Sequence, residues 1–378
     1  MTVPGLPEVA AGTTAYALPA HAIGPAPLRF VESKPPDLAR LARLLEASCE
    51  ANQWTNSGPV AARLEALLAE RLGIHPARSV AVASSATSAL FALAGVAAHR
   101  LGRPLRWLVS AYGFFSTAVG PLAGDITVLD CGDDAYLDLA AVERLPPGSW
   151  DGLIVTNVFG AAADLSPYEG VCRARGKALI ADNATALFGH DRSAEDAPDE
   201  IVSLHHTKPW GFGEGGFAVL PAEDSAVFRA LVNFGQGLAP WLAGFAGNGK
   251  MSDLAAAAAI ARLETADDWA PAYRTQWQRV ASIAGGLGFE VFSRPAPDGV
   301  SAFVALKAPG PAPGSLLAGR PLPMAKYYPP LAERPVARAI YDRIVCVASH
   351  PGLAALDDAE ISGELARVHA GAIAGAPA

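Results

Sequence analysis

The chain has 378 residues, of which 51% are hydrophobic and 17% are charged, and its formal net charge at pH 7 is -8. This composition favours a well-buried globular enzyme over a disordered or fibrous protein, and the acidic balance argues against nucleic acid or an anionic membrane as the main partner. No apolar run reaches about 18 residues, the length of a membrane span, and the four scattered cysteines are typical of reduced thiols in the cytoplasm.

The first predicted elements are an arm and two helices. The N-terminal residues lack the basic and apolar regions of a signal peptide, and residues 1–27, which are rich in Pro, Gly and Ala, are predicted to form a loose arm. Apolar residues recur at helical spacing over residues 36–50 and again over 60–73, where Gly73 is a stop signal. We therefore expect two helices before the first strand.

Short apolar runs then alternate with helical stretches. The runs cover residues 79–83, 106–111, 126–130, 152–159, 177–182, 200–204 and 216–220. Helical stretches are predicted between them, including one over residues 112–124 and one over 165–176. Continuous apolar strands that alternate with helices predict an α/β domain with a mostly parallel, seven-stranded sheet between layers of helices.

The C-terminal third predicts a smaller unit. A helix is expected over residues 252–264, with Ser252 as its N-cap, and a second helix follows over 267–288. Short strands are predicted over residues 289–293, 301–307 and 343–349, and a last helix near 357–370. We therefore predict a large α/β domain of residues 28–262, which includes the two N-terminal helices, and a small α+β domain of residues 263–378.

The stretch SLHHTKPWGFGEGGFAVL, residues 203–220, contains a glycine pattern and two histidines. The glycines match the G-x-G-x-x-G of a dinucleotide loop, but that fingerprint needs a helix directly after it, and here the strand-like FAVL follows. A tight turn between neighbouring strands is the better prediction for Gly211, Gly213 and Gly216. Adjacent His205 and His206 would point to opposite sides, and no further ligands at metal-binding spacing accompany them, so no metal site is predicted.

Lys208 lies in the same stretch, just after the strand predicted at residues 200–204, among few charges and many aromatic or small residues. Partial desolvation there would lower the pKa of its amine and make the amine a nucleophile toward an aldehyde. A surface lysine with a buried stem is the alternative for this residue taken alone. The positions of other candidate residues favour the nucleophile.

Several of these candidates fall just beyond the carboxyl ends of predicted strands, where open α/β sheets bind their ligands. Phe114 could stack on a flat ring, and Asp182 could keep a pyridine nitrogen protonated. With Lys208 closing a Schiff base, these residue types together predict a pocket for pyridoxal phosphate (PLP), although each alone could be an N-cap or a core side chain. The residues that would open a helix and offer N–H groups to the phosphate are Ser85, Ala86 and Thr87.

Spaced motifs along the chain resemble, in order, those of the DegT/StrS-type sugar aminotransferases, a branch of the fold-type-I PLP enzymes. The matching stretches are NQWTNSGP, SSATSAL, ADNATALFG, SLHHTK with GEGG, GNGKMSDLAAA, KYYPPL and CVASHPGL. The resemblance implies the fold-type-I architecture, with a large α/β domain and a smaller C-terminal domain. It also implies PLP as the cofactor.

The resemblance further implies roles for single residues. It makes Lys208 the Schiff-base lysine, Asp182 the partner of the pyridine nitrogen, and Ser203 a ligand of the cofactor phosphate. Asn248 would reach the phosphate of the neighbouring subunit's cofactor, which implies a homodimer with shared active sites. The other cofactor-binding candidates are Ser85, Ala86, Thr87, Phe114 and Thr185.

Three positions depart from the family pattern. Ala86 replaces the usual glycine, Thr185 stands where the family mostly has His or Gln near the phenolic oxygen of the cofactor, and Lys250 replaces an arginine. We expect the contact of Thr185 to be weaker or remodelled. A rare branch of the family has histidine in place of the Schiff-base lysine and performs dehydration, so the retained Lys208 favours transamination.

The activity that the resemblance implies is conversion of a nucleotide-linked keto-deoxysugar to the amino sugar, with glutamate as amino donor, as in lipopolysaccharide O-antigen biosynthesis. Candidates for binding this substrate are Lys250, Lys326, Tyr327 and Tyr328. Alternatively, Pro329 and Pro330 make the KYYPP segment a structural loop. Other PLP reactions, such as cyclitol amination or sugar dehydration, stay open, as does a non-catalytic regulator with the same fold.

Overall fold

The structure, a computed structural model, describes residues 28–161 and 164–375, so the predicted arm of residues 1–27 lies outside the described residues. The predicted helices are present in their expected order within these ranges, except over residues 112–124, and four further short helices lie between them. Their bounds are α1 Leu38–Ala51, α2 Pro59–Arg71, α3 Ala86–Leu101, α4 Leu139–Arg144, α5 Ser166–Arg175, α6 Ser225–Leu231, α7 Asp253–Glu264, α8 Ala266–Gly286, α9 Gly314–Leu317, α10 Pro335–Arg343 and α11 Asp358–Ala374.

The strands form two sheets. The first has seven strands in the order β1-β7-β6-β5-β4-β2-β3, and the second has four in the order β10-β11-β9-β8. The bounds are β1 Arg78–Ala83, β2 Trp107–Ser110, β3 Ile126–Leu129, β4 Gly152–Thr156, β5 Ala178–Asp182, β6 Asp199–Ser203, β7 Gly216–Pro221, β8 Glu290–Val291, β9 Phe303–Lys307, β10 Met324–Ala325 and β11 Ile344–Ala348. The predicted mostly parallel, seven-stranded sheet is confirmed.

Strand β7 is antiparallel to both of its neighbours, β1 and β6. It can run this way because the chain between β6 and β7 is a short connection instead of a helical crossover. Two backbone hydrogen bonds close this connection, from Leu204 N to Gly215 O and from His206 N to Gly213 O. The glycine run therefore forms a turn between adjacent strands, as its sequence context predicts.

Apolar side chains cover both faces of the large sheet. On one face, Val202 of β6 and Phe217 of β7 pack in a core that includes Leu64 of α2 and Ile260 of α7. On the other face, Leu90 and Leu93 of α3 are fully buried in a second core together with side chains of the central strands. Strands that are buried on both faces need continuous apolar sequence, which explains why the runs predict them so well.

Residues 112–124 differ from the prediction. They form two short 3-10 turns, over residues 115–118 and 120–122, and no α-helix. Pro121 explains the difference, since it lacks the N–H that a continuing helix needs and its ring hinders the preceding turn. The predicted N-cap of α7 is present, because the Ser252 hydroxyl accepts a hydrogen bond from Ala255 N at 3.3 Å.

The second sheet is antiparallel throughout and packs with α8 and α11 around its own apolar core. Leu28 and Phe30, the first apolar side chains that the structure describes, pack against this core, and Phe30 also packs against a core shared with residues that follow strands of the first sheet. The division into residues 28–262 and 263–378 stays a prediction. None of the helices in the described part of the chain has both the length and the apolar character of a membrane span.

Candidate active site

Polar side chains gather at one edge of the large sheet, where the parallel strands end. Asp182 is the last residue of β5 and Ser203 the last of β6, while Ser85 follows β1 at the same edge. Gly216, the first residue of β7, pairs with Ala83 on one side and with Ser203 on the other. The sheet register thus brings these sequence-predicted positions together.

The Asp182 carboxylate is buried, with 1% of the residue exposed. Its Oδ1 accepts a hydrogen bond from Ala184 N at 3.1 Å, and its Oδ2 accepts one from Thr156 Oγ1 at 3.3 Å. Burial raises the pKa of Asp182, and the charge of Lys208 acts in the opposite direction. A nearby cation stabilises the charged form of a buried carboxylate, and a protonated ring nitrogen would be such a cation.

The Lys208 amine lies close enough to Asp182 for the two charges to interact. Burial lowers the pKa of Lys208 to about 8, and the attraction of Asp182 partly opposes this change. Among the described residues, the Lys208 Nζ makes no hydrogen bond within 3.5 Å. The site therefore presents an amine with a substantial neutral fraction near physiological pH, as covalent chemistry with an aldehyde requires.

The N-terminus of α3 faces the same edge. The Ser85 hydroxyl caps the helix by accepting a hydrogen bond from Ser88 N at 3.1 Å, and the Ser84 and Ser88 hydroxyls lie 3.1 Å apart. A Cβ added at Gly216 would lie only 2.3 Å from Ala86 N, so the first turn of the helix rests directly on β7. Free N–H groups and the helix dipole at this end suit a phosphate.

We expect Gly216→Ala to disturb this contact, because the added methyl group cannot avoid the backbone of Ala86. Overpacking of this kind costs about 1–3 kcal/mol, and the free energy of unfolding from urea titration should fall by that amount. The dissociation constant for PLP should rise as well. Gly170→Ala is the matched control, since nothing lies within 4 Å of a Cβ added there. An unchanged dissociation constant for the Gly216 variant would contradict the phosphate site.

Thr185, at the position where the family mostly has His or Gln, contacts Tyr328. Its hydroxyl donates a hydrogen bond to Asn157 O at 3.0 Å and also contacts the Tyr328 hydroxyl. The Tyr328 hydroxyl contacts the backbone of Phe159 as well, and the two rings lie 5.0 Å apart, edge to face. Both Phe159 and Tyr328 have left-handed backbone conformations, with φ of 61° and 60°. Such strain in two neighbouring aromatic residues is typical of functional sites.

Phe114, Asn248 and Lys250 are three further residues that the sequence predicts at the site. Phe114 is 49% exposed, and its ring lies 6.4 Å from that of Tyr328. Asn248 is exposed, and the backbone next to it reaches the connection between β1 and α3, because Gly249 O accepts a hydrogen bond from Ser84 N at 2.7 Å. The Lys250 amine donates to Asn233 Oδ1 at 2.9 Å. The cofactor and substrate roles of these three residues stay predictions.

Lys326 and Tyr327 make contacts with the C-terminal region of the chain. The Lys326 amine donates hydrogen bonds to Ala312 O and Asp342 O, each at 2.9 Å, and so faces the C-terminal region. The Tyr327 ring stacks on Phe303 at 5.1 Å. Tyr328 of the KYYPP segment reaches Thr185, and the substrate-binding roles of Lys326, Tyr327 and Tyr328 stay predictions.

Several residues near the site carry no sequence signal. Thr156, a ligand of the Asp182 carboxylate, lies at the end of β4 and is visible only once β4 and β5 are known to be neighbours. Behind Asp182, a chain of buried polar side chains links Asn157, Asn183, Glu200 and Arg192. Among the described residues, no group of three or more His, Cys, Asp or Glu side chains could hold a metal ion.

The residues present fit PLP. The Lys208 amine, which lacks a hydrogen-bond partner within the described chain, would meet the aldehyde, and the buried Asp182 would meet the ring nitrogen. The N-terminus of α3, held against Gly216, would meet the phosphate together with Ser203. An amine, a buried carboxylate and an anion-binding helix end are the three partners that this cofactor needs.

The comparison with curated proteins finds relatives of similar sequence. The chain is 28% identical over 249 residues to Protein Rv3402c of Mycobacterium tuberculosis. The match includes 62% of this chain and 59% of that protein, so the chain spans about three fifths of the length of the curated relatives it matches.

Solved structures share the fold. A Bacillus cereus ATCC 10987 protein described as a PLP-dependent aminotransferase superposes with a TM-score of 0.72 at 20% identity, covering 91% of this chain and 100% of that one. DesI, solved in the presence of its TDP-sugar product, superposes with a TM-score of 0.71 at 22% identity, covering 92% and 94% of the two chains. The sequence profile of the DegT/DnrJ/EryC1/StrS aminotransferase family matches residues 38–304. The chain therefore belongs to the DegT/DnrJ/EryC1/StrS aminotransferase family, and the resemblance carried by its motifs is confirmed.

Proposed function

We propose that the chain is a PLP-dependent aminotransferase that aminates a nucleotide-linked keto-sugar, with glutamate as the amino donor. The observation that carries this proposal is the pairing of Lys208, an amine with a lowered pKa, with the buried carboxylate of Asp182 beside the N-terminus of α3. Membership of an aminotransferase family supports the reaction class and the cofactor. The sugar nucleotide is supported by the fold shared with DesI, which was solved with a TDP-sugar product.

In this proposal, bound PLP supplies an electron sink, and the residues of the chain do the rest. Lys208 would hold the cofactor through its amine and, when free, would act as general acid and base on the donor carbon. Asp182 would favour a proton on the ring nitrogen. The N-terminus of α3 and Ser203 would bind the phosphate, and Phe114 would pack on the ring.

Thr185 and Tyr328 together form the polar group that we expect near the phenolic oxygen of the cofactor. Its hydroxyl is engaged by Asn157 O and by Tyr328, so a Thr185–Tyr328 pair stands where most family members are expected to have one long polar side chain. Burial raises the pKa of Tyr328, as does the nearby charge of Asp182, so this hydroxyl keeps its proton. We propose that this pair contacts the phenolic oxygen of the cofactor.

Covalent capture of PLP by Lys208 should depend on pH with a midpoint near that of its amine. Burial lowers the pKa of Lys208 to about 8, so the nucleophilic, neutral form is lost as the pH falls below that value. The capture rate at pH 6 should be about 100-fold below its plateau, because each unit below the pKa removes tenfold of the neutral amine. Borohydride quenching and peptide mapping would measure this rate. A rate that still rises steeply at pH 10 would show an unperturbed lysine.

The test of the function is a panel of dTDP-, GDP- and UDP-4-keto sugars, each incubated with the PLP-loaded protein and glutamate, and analysed by product mass. An amino sugar formed together with 2-oxoglutarate supports the proposal. A deoxysugar would indicate dehydration instead, and no turnover with any sugar or amino donor would favour the regulator. A homodimer with Asn248 reaching the partner's phosphate is part of the proposal, and sedimentation of the purified protein would test it.

A further inference from the structure

Lys34 lies beneath the segment that carries Lys208. Only 8% of Lys34 is exposed. Its Nζ donates hydrogen bonds to three backbone carbonyl oxygens, those of His206 at 2.5 Å, Lys208 at 2.7 Å and Gly211 at 2.7 Å. An ammonium group has three N–H donors, so these contacts use all of them.

The segment of residues 206–211 lies outside the helices and strands, so no regular hydrogen-bond ladder pairs its carbonyls. Within it, Gly211 N donates to Lys208 O at 3.0 Å, and Lys208 N donates to His205 O at 2.9 Å. A second cationic side chain also binds a carbonyl of this segment, because Arg262 Nε donates a hydrogen bond to Pro209 O at 2.8 Å. Buried carbonyl groups need partners, so two distant side chains supply here what a helix or strand would otherwise provide.

The close backbone packing of the segment leaves it little freedom. A Cβ added at Gly211 would lie 2.1 Å from His205 O and 2.4 Å from Leu204 O, so this turn folds tightly onto the end of β6. The turn is therefore held from one side by its own backbone and from the other by Lys34. The position of the Lys208 side chain depends on both contacts, since Lys208 lies between His206 and Gly211.

One carboxylate balances the two cations. Glu32, two residues before Lys34, accepts hydrogen bonds from Arg262 Nη2 at 2.6 Å and from Tyr273 OH at 3.0 Å. Burial and the charge of Arg262 lower the pKa of Lys34 to about 7, while Glu32 raises it. A neutral amine has only two N–H donors, so all three contacts require the ammonium form of Lys34.

We propose that Lys34 is a positioning residue for Lys208, because its ammonium binds the three carbonyls of residues 206, 208 and 211 and so fixes where the Lys208 amine stands. This inference rests on the proposed role of Lys208 as the lysine that binds the cofactor. Residues 28–37 come before the matched region of the family profile, which begins at residue 38, yet they take part in the site through this contact.

The test compares Lys34→Met, Lys34→Arg and the matched control Lys177→Met. Lys177 also donates to a backbone carbonyl, that of Trp150 at 2.6 Å, but precedes β5 at the edge of the sheet opposite Asp182. Amide hydrogen exchange without PLP should speed up in peptides from residues 204–215 of Lys34→Met, and stay unchanged in β7 and in the control. Lys34→Arg keeps the charge and should recover part of the protection.

The same variants should differ in kinetics. A displacement of the amine by about 1 Å costs on the order of 100-fold in rate, so kcat of Lys34→Met should fall by at least about 10-fold with little change in KM for the sugar. If Lys34→Met does not fold, Lys34→Gln, which keeps two N–H donors, takes its place and should show a smaller change of the same kind.

Two results would overturn the inference: unchanged exchange in residues 204–215 of a folded variant, or a kcat within about twofold of the unaltered chain, a difference that corresponds to less than 1 kcal/mol. Failure of the proposed function is recognised separately. If borohydride reduction of the unaltered protein with PLP labels a residue other than Lys208, the function assigned to Lys208 is wrong. If it labels Lys208 and the Lys34 variants behave like the control, only the positioning role is wrong.

Discussion

Replacing Lys208 with alanine is expected to lower kcat by about 10⁴-fold or more, the upper range of what a positioned acid and base contributes. The variant loses the amine that holds the cofactor covalently and that moves the proton. The visible absorbance of the loaded protein should shift as well, because PLP would bind through its phosphate and ring contacts alone. Single-turnover assays with glutamate would measure the loss.

Lys177→Ala is the control for this prediction, because it removes a lysine at the opposite end of β5 and should keep both absorbance and turnover. Stability should respond differently from activity. Lys208 Nζ has no hydrogen-bond partner within the described chain and its charged form is disfavoured by burial, so its removal should not destabilise the fold at neutral pH. A Lys208→Ala protein that transaminates at the parent rate would remove the basis of the proposed mechanism.

Asp182→Asn is the second large prediction. The amide keeps the size of the side chain but cannot hold a proton on the ring nitrogen by charge, so the cofactor loses much of its capacity as an electron sink. Removal of one preorganised electrostatic partner costs about 10²–10³-fold in kcat, and we expect a loss in that range. Steady-state kinetics with the preferred keto-sugar would measure it, and Asp182→Glu should be intermediate.

Asp199→Asn separates this loss from a general loss of stability. Asp199 is also a buried carboxylate, paired with Arg100 at 2.7 Å, but it begins β6 at the edge of the sheet away from the site. Its replacement should lower the free energy of unfolding and leave kcat nearly unchanged. If the Asp182 variant behaved in the same way, the carboxylate would be a structural group and the ring nitrogen would have another partner.

The strands and the main site residues could be predicted because their signals are local. Strands that are covered on both faces need unbroken apolar sequence, and residues after such strands meet at one edge of a parallel sheet. Asp182, Ser203 and Ser85 are found by this rule, and Lys208 follows from its place after β6. The seven-stranded sheet confirms the predicted strands and the family profile confirms the resemblance, while the roles of the site residues stay predictions.

Contacts between distant segments could not be predicted in the same way. Lys34 stands before two prolines in a stretch without periodicity, and its partners lie more than 170 residues further along the chain. Arg192 and Glu200 form a buried pair behind Asn183, but each looks like an ordinary charged residue in the sequence. The prediction of an α-helix over residues 112–124 was wrong because it followed the apolar content of the stretch and gave too little weight to Pro121, which interrupts a helix.

The place of β7 has a consequence for how the chain is made. Strand β1 lies at the end of the large sheet and pairs with β7, as Arg78 does with Pro221. Because β1 is synthesised first and β7 last of the seven strands, β1 has no strand to pair with until β7 has been made. Until then α3 has no β7 to rest against, and the end of that helix is unsupported. We expect nascent chains that stop short of residue 216 to engage chaperones and to be protease-sensitive over residues 78–101, since long-range pairing of this kind is slow to form.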